Sequence, residues 1–256
     1  MKKIIVIVAG VAACAPVCVF ATGFGSVVSS FKSPGPWPEG VAYRPGYIYI
    51  SCYVTGVIWR TTTTGSVISY HPTGLVYNKG VTVGAVTGRI YYWVVNRKPG
   101  YIYRFVDNSS TVHGSFAVPG SDGWGVSYVD ASHMYYTDFE SQTLYLLHPM
   151  KGSIYSSYSL SFYPGDLAYD STGYLWIVGP YVKTKSVFKC TLKGSVLASF
   201  SVAQYGYPHG CGFDGEYVWV GASDGYNGVY SILQFNVREE PAVAPASLGK
   251  IKALYR

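Results

Sequence analysis

One unit of 40 to 45 residues recurs along this chain, and the recurrence limits the possible folds more than any other feature. The unit opens with a turn followed by a short apolar stretch. Its five copies start at Pro38, Asn78, Gly123, Pro164 and Pro208, at steps of 40, 45, 41 and 44 residues. A fixed period of this length indicates a repeat architecture in which each unit packs against its neighbours.

Each copy contains short segments with the composition of β-strands. In the fourth copy these are residues 164–169, the aromatic segment 174–177, then 186–189 and 194–200. Tyr, Trp, Val and Ile favour strands, whereas Gly and Asp favour the tight turns between them. Because an aspartate follows the first segment in three copies (Asp130, Asp170 and Asp214), we expect these side chains to bind backbone N–H groups of the turns.

The position of the fourth segment defines the architecture. Its copies are GSVISY (65–70), STVHGSF (110–116), GSIYSSY (152–158) and GSVLASF (194–200). The last unit has no such segment of its own, and the fifth copy, GSVVSSF (25–31), precedes the first unit. We therefore predict an all-β, five-bladed β-propeller with four antiparallel strands per blade, whose last blade is closed by the N-terminal strand. An open β-sandwich is the alternative, but it does not explain the displaced copy.

Both ends of the chain differ from the repeats. Residues 1–21 have two lysines, an apolar core and small residues before a cleavage site after Ala21, which is typical of a signal peptide. Alternatively, the residues up to Cys14 resemble a lipobox, which predicts a lipidated cysteine. We thus expect a signal peptide (1–21), a propeller (22–237), and a linker with a basic amphipathic tail (238–256). The localisation we predict is secreted or cell-surface, with a lipoprotein possible.

The tail SLGKIKALYR (247–256) places apolar residues at helical spacing with cations between them. It resembles short C-terminal tails of exported bacterial proteins, which implies a sorting or anchoring signal; a frayed end without a role is the alternative. Membrane attachment is therefore expected only through Cys14 or through this tail.

Charge and cysteine content exclude several classes of protein. The net charge of +6 is concentrated at the two ends, since residues 22–246 hold 14 basic and 13 acidic residues. Without a basic stripe, we expect no nucleic-acid partner. Three cysteines follow the predicted cleavage site, Cys52, Cys190 and Cys211, and they match no zinc spacing. Two alternatives are compatible with this count: one disulfide together with one free thiol, or three buried free thiols.

The repeat resembles a known group of proteins. The fourth copy, PGDLAYDSTGYLWI followed by GSVLASF, is similar to the repeat of NHL-like, SMP-30-like and glutamine cyclotransferase-like secreted propellers and of streptogramin lyases. The resemblance covers about residues 25–237 and implies the propeller fold. These families include enzymes and binding proteins, and none of their catalytic sets maps onto this sequence, so the resemblance implies no particular activity.

The loops that enter the innermost strands are expected to form a mouth around the central channel. The residues predicted to line it as ligand-binding candidates are Glu39, Lys79, Trp124, Asp166, His209 and Trp37. A mixture of charged and aromatic side chains is typical of a small-ligand site, although rim residues beside water have the same composition. The indoles of Trp37 and Trp124 are expected to stack on a sugar ring or a cation, or to plug the mouth.

Three functions are compatible with this pattern. We favour a non-catalytic extracellular module that binds a glycan or small molecule at the mouth, with no cofactor, metal or catalytic residue assigned. The first alternative is an enzyme of the lyase, lactonase or cyclotransferase type, in which His209 acts with Asp166 or Glu39 as acid–base groups. In a variant of this alternative, Glu39, Asp166 and His209 together bind a metal ion. The second is a structural surface protein that self-associates through its tyrosine-rich faces.

Overall fold

A computed structural model describes residues 23–98, 100–180, 184–225 and 228–238. The predicted signal peptide, Cys14 and the tail from residue 239 onward lie outside the described residues. The described part is built from β-strands with a single 3₁₀ turn at Ala203–Tyr205. Within that part, no helix is long and apolar enough to cross a membrane.

In the described part of the chain, twenty strands form five antiparallel sheets of four strands, as the repeat predicted. Blade 1 comprises β2 (Pro38–Arg44), β3 (Tyr47–Cys52), β4 (Val57–Thr62) and β5 (Val67–Pro72). Blade 2 comprises β6 (Asn78–Val86), β7 (Arg89–Asn96), β8 (Tyr101–Val106) and β9 (Val112–Ala117). Blade 3 comprises β10 (Gly123–Tyr128), β11 (Met134–Asp138), β12 (Thr143–Leu147) and β13 (Ile154–Ser159). Blade 4 comprises β14 (Leu167–Tyr169), β15 (Tyr174–Gly179), β16 (Ser186–Thr191) and β17 (Val196–Ser201). Blade 5 comprises β18 (Tyr207–Phe213), β19 (Tyr217–Ser223), β20 (Tyr230–Asn236) and β1 (Val27–Lys32).

The N-terminal strand closes the ring. Strand β1 pairs antiparallel with β20 as the outermost strand of blade 5. Beyond the strand itself, Gly25 N–H donates to Asn236 at 2.7 Å and Ser33 N–H donates to Tyr230 at 2.8 Å. The first strand of blade 5 in turn contacts that of blade 1, so the five blades form one closed ring.

Aromatic side chains fill the space between neighbouring blades. Trp93 of blade 2 stacks on Tyr128 of blade 3 with ring centroids 5.0 Å apart, and both tryptophans of blades 4 and 5, Trp176 and Trp219, are buried. Trp176 of blade 4 stacks on Phe213 of blade 5. Burial of such large side chains is the main source of stabilisation between the sheets.

Three predicted turn aspartates and the three cysteines have simple structural roles. Asp130, Asp170 and Asp214 each accept the backbone N–H of the residue two positions on, which confirms the turn prediction. Cys52, Cys190 and Cys211 are buried free thiols without a disulfide, so the second of the two cysteine hypotheses is correct.

Candidate functional site at the channel mouth

Four of the predicted mouth residues share a backbone feature, a β-bulge in the innermost strand of their blade. The register shifts by one residue between Pro38 and Gly40, between Gly123 and Gly125, between Pro208 and Gly210, and in the segment containing Lys79. A bulge leaves one residue unpaired and turns its side chain. The residues carried at these bulges are Glu39, Lys79, Trp124 and His209.

Glu39 is the centre of a buried charge cluster. Its Oε2 atom lies 3.0 Å from Lys79 Nζ and 3.3 Å from His209 Nδ1. All three residues are less than a tenth exposed. On its other side, the imidazole Nε2 of His209 shares a hydrogen bond of 3.0 Å with the Ser223 hydroxyl.

The charges of this cluster compensate one another. Burial alone raises the pKa of Glu39, but the charges and hydrogen bonds of His209 and Lys79 outweigh it and lower the pKa from 4.5 to about 2. Burial lowers the pKa of Lys79, and the Glu39 carboxylate opposes that shift. Glu39 is therefore ionised at neutral pH and is satisfied from two sides.

Trp124 lies on the far side of Lys79. The ammonium of Lys79 is 3.8 Å from the indole centroid and 4.6 Å from the ring of Tyr53. The indole also packs on Phe139, with centroids 4.6 Å apart. These contacts hold Lys79 over aromatic faces and make Trp124 part of the wall of the mouth.

Asp166 lies on the channel axis rather than in the layer of the other mouth residues. It is fully buried, and its carboxylate accepts backbone N–H groups of Val41 at 3.1 Å, Cys211 at 3.0 Å and Val126 at 3.3 Å, and that of Leu167. Burial raises its pKa, and these N–H groups oppose the rise. Asp166 thus joins the first strands of four blades.

The position of Asp166 explains a glycine pattern in the repeat. The residue after each bulge is Gly40, Gly80, Gly125 or Gly210, and only blade 4 has Asp166 there. A Cβ atom on Gly80 would lie 2.5 Å from the Asp166 carboxylate, and one on Gly125 would lie 2.6 Å from its Cα. The glycines therefore leave the volume that the aspartate occupies, and β14 starts only at Leu167.

Trp37 borders an open cleft above His209. The cleft has a volume of about 470 Å³ and is lined by Trp37, Tyr207, His209 and Gly225. The indole of Trp37 meets the imidazole of His209 at a centroid distance of 6.1 Å, nearly edge-on, and packs on Tyr230 at 5.7 Å. Trp37 has a φ of 50°, a conformation that bulky residues rarely adopt and that often marks functional sites.

The structure thus brings together Glu39, Lys79, Trp124, His209 and Trp37 at one end of the channel and encloses Asp166 beneath them. The hypothesis of metal ligation by Glu39, Asp166 and His209 finds no support, since no group of three His, Cys, Asp or Glu side chains suited to a metal ion occurs among the described residues. Sequence analysis missed Tyr207 and Ser223, although Tyr207 precedes Pro208 just as Trp37 precedes Pro38.

Comparison with known proteins identifies the fold and no family. No protein-family model matches the chain, and no curated protein matches its sequence. Among solved structures, glutaminyl cyclase of Myxococcus xanthus is similar with a TM-score of 0.64 and 11% identity, over 83% of this chain and 97% of that one. Aldose sugar dehydrogenase of Streptomyces coelicolor is similar with a TM-score of 0.54 and 14% identity, over 83% and 97%.

A third solved structure, virginiamycin B lyase of Staphylococcus aureus, aligns over 80% of this chain and 68% of its own, with a TM-score of 0.48 and 17% identity. Identities this low carry information on the fold alone. The chain is a five-bladed β-propeller by its own strand topology, and its likeness to the first two structures is a likeness of fold.

Proposed function

We propose that this chain is an exported propeller that binds a small, uncharged polar molecule, such as a sugar unit, in the cleft at Trp37, Tyr207 and His209. The observation that carries the proposal is the cleft of about 470 Å³ that is lined by two aromatic side chains and an imidazole. Small-molecule sites are typically clefts of this size with mostly apolar walls and few polar groups.

The charge cluster under the cleft supports binding of a neutral ligand. Glu39 and Lys79 are enclosed and compensate each other, and His209 is the polar residue that lines the cleft. Because Glu39 and Ser223 contact opposite nitrogens of the imidazole, the ring is held in one orientation. A fixed imidazole and a fixed indole lower the entropic cost of binding.

A thermal-shift panel of mono- and oligosaccharides, small acids and small amines on residues 22–246 tests the proposal. We expect a sugar to raise the melting temperature of the wild type, and Trp37→Ala and His209→Gln to abolish that shift. Tyr70→Ala, which removes an aromatic ring that is 61% exposed on an outer strand, is the control and should keep the shift. A shift that survives in Trp37→Ala, or no shift with any compound, contradicts the proposal.

An acid–base enzyme is the second candidate, because a carboxylate and an imidazole lie 3.3 Å apart beside the cleft. One solved structure of similar fold is a glutaminyl cyclase, which suggests a glutaminyl peptide as the first substrate to assay. Cyclisation that Glu39→Gln reduces by about a hundredfold or more would favour the enzyme over the binding module. Turnover equal in the wild type and in Glu39→Gln would exclude this role for Glu39.

A further inference from the structure

Four aromatic residues occupy the same position of the repeat in four neighbouring blades. Each immediately precedes the start of its unit, and the set comprises Tyr163 of blade 4, Tyr207 of blade 5, Trp37 of blade 1 and Tyr77 of blade 2. Because blade 5 contacts blade 1, these blades follow one another around the ring. We call the four residues the aromatic arc.

The arc places one further exposed aromatic ring in the blade on either side of the cleft. Trp37 and Tyr207 are the walls of the cleft, and Tyr77 and Tyr163 beyond them are 40% and 42% exposed. In blade 3 the same position holds Asp122, whose carboxylate is bound by both Arg97 Nε at 2.6 Å and Arg97 Nη2 at 2.8 Å. Four successive blades thus carry an aromatic ring at this repeat position, and the fifth carries an ion pair.

Aromatic residues at the ends of neighbouring strands pack against three of the rings. Tyr230 packs on Trp37, Tyr53 on Tyr77 at 5.3 Å, and Phe139 on Tyr163 at 5.1 Å. The backbone carbonyl of Trp37 accepts the N–H of Tyr53 at 3.0 Å, and that of Tyr77 accepts the N–H of Arg97 at 3.1 Å.

The backbone at two arc positions is strained in the same way. Trp37 has a φ of 50° and Tyr77 a φ of 66°, although neither is a glycine. Such conformations persist only where the surrounding structure imposes them, and they cluster at binding sites. The strained backbone at Trp37 and Tyr77 is therefore consistent with a binding role for these two side chains.

The charges along the arc disfavour a cationic partner. The ring of Tyr207 has Lys185 Nζ 3.7 Å from its centroid, and that of Tyr77 has Lys98 Nζ at 5.8 Å. A cationic ligand would be repelled by these ammonium groups, since the nearby carboxylates of Glu39 and Asp122 are already paired with Lys79 and Arg97. A pyranose ring is uncharged, has an apolar C–H face that stacks on an aromatic ring, and keeps its hydroxyl groups in water.

We propose that the aromatic arc binds a neutral oligosaccharide of several units, with the central subsite at Trp37 and Tyr207 and outer subsites at Tyr163 and Tyr77. The proposal rests on the proposed function of the cleft and adds the length and class of its ligand. A repeating ligand suits a set of repeated platforms, because each further subsite is engaged at high effective concentration once the first is occupied.

Calorimetric titration with neutral oligosaccharides of two to six units from the malto-, cello-, xylo- and N-acetylchito-series tests the length dependence. In at least one series we expect Kd to fall about tenfold or more from the disaccharide to the hexasaccharide. Tyr163→Ala and Tyr77→Ala should each remove part of this gain, the double variant should remove most of it, and all three should leave the disaccharide Kd unchanged. Tyr155→Ala, which deletes a ring that is 50% exposed on outer strand β13, is the matched control and should change neither value.

The outcomes separate this inference from the function on which it rests. Binding that does not strengthen with length in any series, or a gain that persists undiminished when both Tyr163 and Tyr77 are replaced by alanine, overturns the arc as an oligosaccharide site. If a compound still binds in a manner that depends on Trp37, the proposed function of the cleft stands without the arc. If no oligosaccharide and no small molecule binds, both are overturned.

Discussion

The carboxylate of Asp166 accepts the backbone N–H of Val41 at 3.1 Å, across 125 residues of sequence. The bond connects blade 4 to blade 1 through the centre of the ring. With the N–H groups of Val126, Cys211 and Leu167 on the same carboxylate, the side chain links the innermost strands of four blades. Asp166 therefore supports the mouth from below.

Replacement of Asp166 tests this role. Asp166→Ala leaves buried N–H groups without an acceptor, and we expect the free energy of unfolding to fall by about 4 kcal/mol. Asp130→Asn, in an exposed turn, is the control and should cost less than about 1 kcal/mol. Urea unfolding followed by tryptophan fluorescence measures both. A loss of less than about 1 kcal/mol in Asp166→Ala would show that the axis does not depend on this carboxylate.

Acid should weaken the fold partly through Glu39. Because the folded pKa of about 2 lies below the ordinary value of 4.5, the contribution of Glu39 is complete above about pH 4.5 and is lost as the pH falls towards 2. The pKa difference corresponds to about 3 kcal/mol. In urea unfolding between pH 2.5 and 6.5, we expect Glu39→Gln to have a flatter profile than the wild type. Parallel profiles would show that Glu39 is not stabilised in its charged form.

The ion pair of Glu39 and Lys79 should behave as a coupled unit. Lys79→Met leaves Glu39 without its nearest cation, and Glu39→Gln leaves a buried ammonium, so each single change should cost about 3 kcal/mol. The double variant should cost less than the sum of the two, with a coupling energy of about 2 kcal/mol in the double-mutant cycle. Additive losses would mean that the 3.0 Å contact contributes no pairwise stabilisation.

The closure of the ring by β1 makes a further prediction. Deletion of residues 24–32 removes that strand and exposes the edge of β20, so the shortened protein should aggregate or unfold near room temperature. Deletion of residues 239–256, which leaves every strand of the ring in place, is the control. Light scattering and a melting curve compare the two. A monomeric product of the first deletion with an unchanged melting temperature would exclude a structural role for the closure.

The fold was predictable because the sequence of one blade recurs along the chain every 40 to 45 residues. Five copies of GSV-type segments, one of them displaced to residues 25–31, specify both the number of blades and the closing strand. The turn aspartates were equally predictable, since an Asx turn depends only on local sequence. The proximity of the four predicted mouth residues at the bulges follows from the same alignment, because each stands at the same repeat position of its own blade.

The depth of each mouth residue was not predictable from the alignment. Asp166 and Glu39 are both acidic and stand one repeat position apart. Asp166 nevertheless binds backbone N–H groups of several blades, whereas Glu39 belongs to the charge cluster with Lys79 and His209. The difference arises from the bulge that turns Glu39 and from the glycines that leave volume for Asp166, and both depend on contacts among all five blades. The sequence did contain one indication of this difference, since blade 4 has Asp166 at the repeat position where the other four blades have glycine.

The most direct test of the proposed site uses the indole N–H signals of the tryptophans in a ¹⁵N-labelled sample. Spectra are recorded with and without each saccharide of the panel, and Trp37→Phe assigns the Trp37 signal. We predict that a bound sugar shifts the Trp37 signal and leaves those of the buried Trp93, Trp176 and Trp219 in place. Binding that leaves the Trp37 signal unmoved would contradict a ligand site at this end of the channel.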